Sequence, residues 1–226
     1  MVKSFEDIKV RAVKRKGGEE ALKVLLPTGD ILTPKKIAKI PDDRFLSAMT
    51  KGVFQAGFNW KVIENKWDGF EEALWGFNVK RCAFMSPDDQ DALMQDTKVV
   101  RNAQKISTVP LNAQMILEVQ KEHGSFASFI ARWPNDDCIG LLEYLKKHGA
   151  RLGGATAQYF LRRMGYDGFV LGRDGTAALI NAGVIDKAPT SKKALRAVQE
   201  AYNQWHKESG YGYAEISRVL ALSIDT

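Results

Sequence analysis

The sequence predicts an all-α fold, and three observations support that prediction. Apolar residues recur at helical spacing, whereas the alternation expected of a half-buried strand is nearly absent. Residues that favour helix starts and stops border these segments. Each apolar stripe needs a partner helix to bury it, so the chain is predicted to form a multi-helix globule. The clearest stripes are Phe70, Ala73, Leu74, Phe77; Cys138, Leu141, Leu142, Leu145; and Leu195, Val198, Tyr202, Trp205.

Several helix boundaries can be placed on particular residues. Ser86-Pro87 predicts an N-cap followed by proline in the first turn, and Ser191 predicts a second helix start. That second helix is expected to stop at Ser209-Gly210. Pro110 interrupts an otherwise helical stretch, so a break or kink is expected there.

The N-terminal part differs in composition from the rest of the chain. Residues 14–18 carry two glycines and separate two short helical patterns, and residues 26–43 are proline-rich and predict a connector. We therefore expect residues 1–40 to form an N-terminal helical extension and residues 41–226 to form the main helical domain.

Composition and charge restrict the class of protein. The net charge is +6 over 226 residues, which suits a partner that carries phosphates. No apolar run reaches the roughly 20 residues of a membrane span, and the N-terminus has no signal core. We expect a cytoplasmic protein. Cys82 and Cys138 are far apart and three histidines are scattered, so we expect no disulfide, no metal site and no cofactor.

Two predicted helices, at about 138–148 and 154–165, are joined by a short loop that contains Leu152-Gly153-Gly154. Such a hairpin leaves the amides of Gly154, Ala155 and Thr156 unsatisfied at a helix start, where they can bind a DNA phosphate. Lys147 and Arg151 lie beside them in the sequence and would add positive charge. The alternative is a plain helix–loop–helix in which Gly-Gly ends the first helix.

An acidic residue follows this hairpin. The Leu-x-Gly-x-x-Ala order from Leu152, with Asp174 about twenty residues later, resembles the hairpin and catalytic aspartate of the helix–hairpin–helix DNA glycosylase superfamily. That resemblance implies a helical bundle of two lobes with a cleft. A carboxylate there would stabilise the positive charge that builds on the sugar as an N-glycosidic bond breaks. The alternative is that Asp174 merely caps a helix beginning near Gly175.

A second segment gives a sharper resemblance. Gln55-Ala56-Gly57-Phe58-Asn59-Trp60 is similar to the Gln-Ala-Gly-x-Ser-Trp region of bacterial type I 3-methyladenine DNA glycosylases, and the similarity extends over about residues 45–165. It implies that Trp60 stacks on an extruded base in a pocket that Phe54, Gln55 and Asn59 also line. Phe58 would wedge into the gap left in the duplex. Core packing is an open alternative for Phe54, Phe58 and Trp60.

The sequence also departs from that family. Its N-terminal tract and zinc ligands are absent, and its pocket glutamate, eight residues before the tryptophan, falls on Gly52. No lysine lies near the helix start at Ala155, so we expect a monofunctional DNA repair glycosylase that removes a damaged, alkylated base. Damaged duplex DNA is the expected partner. We expect the protein to be a monomer and to lie near the nucleoid. The alternative is a DNA-binding module that senses lesions without cleaving a bond.

Overall fold

Capping residues set where the helices begin and end. The computed structural model describes residues 2–27 and 30–224, and these contain helices and turns but no strand. The predicted start at Ser86 is confirmed as a capping box, because the Ser86 hydroxyl accepts from the Asp89 amide while the Asp89 carboxylate accepts from the Ser86 amide. The start at Ser191 and the stop at Gly210, which has φ 72°, are also confirmed.

The α-helices of the described residues are, in chain order, α1 (Phe5–Lys16), α2 (Glu19–Val24), α3 (Pro34–Ile37), α4 (Asp42–Gln55), α5 (Trp60–Asn65), α6 (Trp67–Ala73), α7 (Val79–Ala83), α8 (Pro87–Gln95), α9 (Ala103–Ile106), α10 (Thr108–His123), α11 (Phe126–Arg132), α12 (Cys138–His148), α13 (Ala155–Arg163), α14 (Arg173–Asn181), α15 (Lys192–Ser209) and α16 (Tyr213–Leu222). None of these helices is long and apolar enough to cross a membrane.

The chain packs as two compact units. One unit comprises the described parts of Met1–Leu32, Trp133–Leu141 and Gly165–Thr226, and the other comprises Thr33–Arg132 and Leu142–Met164. The N-terminal helices therefore share a unit with the C-terminal ones. The boundary at residue 40 stays a prediction.

The first unit is built around α1, α14, α15 and α16, which pack on one another. Trp205 of α15 is fully buried, and its indole N–H donates to the main-chain oxygen of Lys3 at 3.1 Å. Phe169 stacks on Tyr202 with ring centroids 4.1 Å apart. The predicted apolar stripe of α15 therefore faces the core of this unit.

The second unit is built around α4, which packs against α10 and α13. Phe45 of α4 is fully buried and meets Phe126 and Phe160 edge to face. At the start of α4, the carboxylate of Asp42 accepts hydrogen bonds from the amides of Phe126 and Ala127, which begin α11. Helix α4 thus anchors both the core of the unit and a neighbouring helix start.

Three local predictions need correction. The stripe from Phe70 to Phe77 is not one helix: α6 ends at Ala73, and Trp75, Gly76 and Phe77 have φ between 54° and 63°. Arg44 donates to the main-chain oxygen of Gly76 at 2.7 Å and so stabilises this left-handed turn, which helical spacing cannot reveal.

The connector predicted at residues 26–43 contains α3 and the start of α4, while residues 28 and 29 lie outside the described part of the chain. The break expected at Pro110 occurs slightly earlier, at Ser107 between α9 and α10. Pro110 itself lies in the first turn of α10, where its missing N–H costs no helical hydrogen bond.

Candidate nucleic-acid interface

The predicted hairpin is confirmed as two helices joined by a short loop. Helix α12 ends at His148, and α13 begins at Ala155 with Gly154 as its N-cap. Gly154 has φ 55° and ψ −134°, a conformation that glycine adopts most readily, so the Gly-Gly pair begins α13 and does not end α12. No side chain of the described residues caps this helix start. Gly153 and Thr156 are half-buried, whereas Gly154 and Ala155 are exposed.

Two buried side chains hold the hairpin loop in place. Leu152 is fully buried and anchors the loop to the core. Asn112 of α10 is also fully buried; its amide nitrogen donates to the main-chain oxygen of Ala150 at 3.2 Å, and its amide oxygen accepts from the Ala150 amide at 2.7 Å. The next residue, Arg151, has φ 58°, which is unusual for a residue with a side chain.

The basic residues predicted beside the hairpin are exposed. Lys147 lies in the last turn of α12 and Arg151 in the loop. The guanidinium of Arg151 donates to the side-chain oxygen of Gln104 at 2.7 Å. This hydrogen bond places Arg151 next to the one-turn helix α9. The side chains of Lys147 and Arg151 are both accessible to an anion.

Aromatic side chains are exposed in the same unit. Trp60 begins α5 with 47% of its surface exposed, and Phe58, just before it, is 46% exposed. Trp60 meets Tyr159 of α13 edge to face, with ring centroids 5.6 Å apart. Core packing is therefore the wrong reading for Trp60 and Phe58. Tyr159 was not predicted from sequence; its position one turn after Ala155 on the helix that begins at the hairpin was the available signal.

The other predicted pocket residues occupy different environments. Asn59 is exposed, but its side chain accepts from the Lys61 amide and caps α5. Gln55 is only 2% exposed; its oxygen accepts from Arg163 at 2.7 Å, while its Nε2 has no partner among the described residues. A buried donor without an acceptor is a candidate for reading a ligand atom.

Phe54 is a core residue. It is 1% exposed and meets Phe70 edge to face at 4.7 Å. Because its ring has almost no accessible surface, the prediction that it lines a base pocket needs correction: Phe54 supports the helix that carries the recognition loop, which we define as residues 55–59.

A buried lysine lies beneath that recognition loop. The Lys105 ammonium donates to the main-chain oxygens of Phe54 and Ala56 at 3.0 and 2.8 Å, and the side chain is 8% exposed. Burial lowers the pKa of Lys105 below its ordinary value, and the charge of Arg151 lowers it further. Lys105 lies within residues 45–165, over which the sequence resembles the family, but no local pattern singles it out.

Gly52 lies inside α4 at the position that the resemblance assigns to a pocket glutamate. A β-carbon built on it would lie 3.4 Å from the Thr156 methyl group and 3.6 Å from the Thr156 main-chain oxygen. These are ordinary van der Waals distances, so the backbone leaves room for a small side chain. A carboxylate is nevertheless absent here.

Asp174 lies in the first turn of α14, in the unit that does not contain the hairpin loop and Trp60. The N-cap of α14 is Gly172, so the alternative that Asp174 caps the helix is wrong. Its carboxylate is 40% exposed and lies 3.3 Å from the Arg173 guanidinium. The catalytic role of Asp174 stays a prediction.

The two cysteines do not form part of a metal site in the described residues. Cys82 and Cys138 are both buried thiols, and the described residues contain no cluster of histidine, cysteine and carboxylate side chains arranged to hold a metal ion. Burial raises the pKa of Cys82 to about 12, so this thiol is protonated at neutral pH.

Comparison with known proteins points to one family. The family model for methyladenine glycosylases matches residues 38–151, which contain the recognition loop, α12 and the hairpin loop as far as Arg151. The match does not include the start of α13 or Asp174. The DNA-3-methyladenine glycosylase of Haemophilus influenzae is 29% identical over 130 residues, 49% of this chain and 70% of that protein. DNA-3-methyladenine glycosylase 1 of Escherichia coli is 26% identical over 81 residues, 36% of this chain and 43% of that protein.

Solved structures agree with the sequence matches. The 3-methyladenine DNA glycosylase I of Staphylococcus aureus is 25% identical with a TM-score of 0.50, covering 56% of this chain and 78% of that chain. A variant of 3-methyladenine DNA glycosylase I in complex with 3-methyladenine gives 25% identity and a TM-score of 0.50, covering 57% and 81%. Since the family model spans half of its residues, this chain belongs to the methyladenine glycosylase family.

Proposed function

We propose that this chain is a monofunctional DNA glycosylase that removes an alkylated purine from duplex DNA. It would act as a monomer, in the cytoplasm and near the nucleoid. The observation that carries the proposal is the exposure of Trp60 in a member of this family. Its half-exposed indole lies 5.6 Å from the ring of Tyr159, and Tyr159 belongs to α13, the helix that begins at the hairpin. An indole left exposed beside a phosphate-binding helix start suits stacking on an extruded base.

The residues of the second unit would share the work of gripping and extruding. The free amides of Gly154, Ala155 and Thr156 bind a phosphate, while Lys147 and Arg151 add charge. Phe58 enters the gap in the duplex, and the extruded base stacks on Trp60. A methylated, cationic purine gains further from cation–π attraction. The unpaired Nε2 of Gln55 and the side chain of Asn59, both on the recognition loop, would meet the polar edge of the base.

The reaction is hydrolysis of the bond between the base nitrogen and sugar C1′. A cationic base leaves with the bonding electron pair and becomes neutral, so it needs little acid catalysis. Asp174 stabilises the positive charge on the sugar, and it accepts a proton from the water that attacks C1′. Lysine is absent from the start of α13, which favours an abasic site as the product without strand cleavage.

The decisive experiment incubates the full chain with methylated genomic DNA and identifies released bases by mass spectrometry. Trp60→Ala is expected to lower release about tenfold or more, the size of a lost base-stacking contact, while largely sparing nonspecific binding. Trp60→Phe retains an aromatic face and is the matched control. Equal loss of release and of binding in Trp60→Ala would contradict the pocket assignment.

Asp174→Asn tests the catalytic assignment independently of the pocket. The substitution keeps the size of the side chain and removes its charge. We expect slower release with unchanged duplex affinity, because Asp174 acts on the transition state and not on binding. Unchanged release would show that Asp174 is not catalytic.

A second candidate function is a lesion-binding protein that breaks no bond. Gly52 favours it, because the residue that the family resemblance places in the pocket as a glutamate has no side chain here. Binding of damaged duplex without release of any base from methylated DNA would establish this alternative and exclude the glycosylase.

A further inference from the structure

The one-turn helix α9 connects the two parts of the proposed DNA grip. Its adjacent residues Gln104 and Lys105 point to different partners. Gln104 is exposed and accepts from the hairpin's Arg151 at 2.7 Å. Lys105 is buried and donates to Phe54 and Ala56, at the end of α4 and the start of the recognition loop. Two neighbouring side chains thus contact the hairpin and the recognition loop.

The position of α9 is itself fixed by local hydrogen bonds. The Asn102 side chain caps the helix by accepting from the Lys105 amide at 3.1 Å. The hydroxyl of Thr108 donates to the main-chain oxygen of Lys105 at 2.6 Å. Both main-chain polar groups of Lys105, its amide and its carbonyl oxygen, are therefore hydrogen-bonded to side chains. These bonds fix the backbone from which the ammonium extends.

The Lys105 ammonium also lies close to the predicted wedge. It is 5.8 Å from the ring centroid of Phe58 and 5.9 Å from that of Phe54. A buried cation held by two carbonyl oxygens is costly to leave unpaired, because the ammonium is itself largely removed from water. The main chain around Ala56 is consequently restrained next to Phe58 and Trp60.

We propose that Lys105 is a positioning residue for base extrusion, and that α9 fixes the spacing between the phosphate-binding hairpin and the recognition loop. This inference rests on the proposed function. In this proposal Lys105 contacts neither the base nor the phosphate. It determines the positions of Phe58 and Trp60 while the hairpin is bound to the DNA backbone. Its loss should therefore impair extrusion more than binding.

The chain offers a matched control. Lys66, at the junction of α5 and α6, donates to the main-chain oxygen of Thr97 at 2.5 Å. Lys66→Met and Lys105→Met each remove one positive charge and one lysine side chain bonded to the main chain. Only Lys105→Met removes a hydrogen bond to the recognition loop. Comparing the two variants therefore distinguishes the effect of loop positioning from the effect of losing one positive charge.

The first measurement is hydrogen exchange of the free protein, which does not depend on activity. Lys105→Met is expected to speed exchange of the amides of residues 56–60 about tenfold, as a buried charge-assisted contact is lost, whereas Lys66→Met leaves them unchanged. Equal exchange in the two variants would overturn the proposal. If Lys105→Met does not fold, Lys105→Gln replaces it, because its shorter, neutral side chain cannot reproduce the charge-assisted contacts with both carbonyl oxygens.

The second measurement uses a short duplex in which 2-aminopurine neighbours a tetrahydrofuran abasic-site analogue. Insertion of Phe58 unstacks the probe and raises its fluorescence. We expect Lys105→Met to bind within about twofold of wild type but to lose most of the fluorescence rise, while Lys66→Met retains it. A full rise in Lys105→Met would overturn the proposal. A wild-type protein that binds without any rise would contradict the proposed function, and hydrogen exchange would still decide whether Lys105 holds the loop.

Discussion

The absence of a side chain at Gly52 leads to a prediction about stability. Glycine inside a helix is less stable than alanine by roughly 0.5–1 kcal/mol. In α4 the new methyl group of Gly52→Ala would meet Thr156 at 3.4 and 3.6 Å, which are ordinary contacts. We therefore expect Gly52→Ala to stabilise the protein by about 0.5–1 kcal/mol, which corresponds to a rise in Tm of about 1–4 °C for a chain of this size.

Gly69 in α6 is the matched comparison. It has the same helix-propensity gain, but its new β-carbon would lie 2.6 Å from the main-chain oxygen of Lys98 and 2.8 Å from the Lys98 β-carbon. Overpacking of this kind typically costs about 1–3 kcal/mol, so Gly69→Ala is expected to be destabilising overall. The two alanine variants should move Tm in opposite directions.

Urea and thermal unfolding followed by far-UV circular dichroism provide the assay. Adding Thr156→Ser to Gly52→Ala removes the methyl group that the new β-carbon meets. If the 3.4 Å contact is harmless, the two effects add within about 0.5 kcal/mol. Destabilisation by Gly52→Ala that Thr156→Ser relieves would refute the reasoning, since it would show that packing against α13 closes this position to any side chain.

Further predictions concern charge, thiols and the hairpin. Burial would raise the pKa of Glu71, but hydrogen bonds from Arg44 and Ser47 outweigh it and lower that pKa. A lowered carboxylate pKa stabilises the fold above the unfolded-state value near 4.5 and ceases to do so as pH falls through the folded value. Glu71→Gln should therefore cost about 2 kcal/mol at pH 7 and progressively less as the pH falls below 4.5, measured by urea midpoints. An undiminished difference at low pH would contradict this. Because Cys82 and Cys138 are buried, a thiol reagent such as DTNB should label them only as the protein unfolds, and rapid labelling of folded protein would show that they are accessible. Lys147→Ala should reduce the slope of log affinity for duplex DNA against log salt concentration by about 0.9. Lys207 is an exposed lysine on α15, and Lys207→Ala should leave that slope unchanged. Equal slopes for Lys147→Ala and the wild type would show that Lys147 is not in the interface.

Local patterns predicted much of the fold. The helices around the hairpin follow their apolar stripes, and the capping residues Ser86 and Ser191 begin helices as expected. The predictions fail where a residue distant in sequence determines the backbone conformation. The left-handed turn from Trp75 to Phe77 is stabilised by Arg44, and no periodicity over residues 70–77 reports that contact.

The candidate site was predictable in its residue types but not in its connections. Trp60 and Phe58 could be singled out from the recognition loop, since their resemblance to a family motif is local. Their environment could not, because Tyr159 and Lys105 belong to other helices that meet the loop only after folding. Phe54 was misassigned for the same reason: its contact with Phe70 forms only when α4 packs against α6.

The pairing of Asn112 with Ala150 bears on how quickly the hairpin would engage DNA in the proposed function. An asparagine amide presents a donor and an acceptor side by side, as a peptide group does, so α10 pairs with the loop much as a neighbouring strand would. The conformational entropy of the turn, including the unusual backbone of Arg151, is therefore lost during folding and not during association. A turn ordered in advance needs no search at the encounter, and its association rate should depend on electrostatic attraction rather than on loop rearrangement.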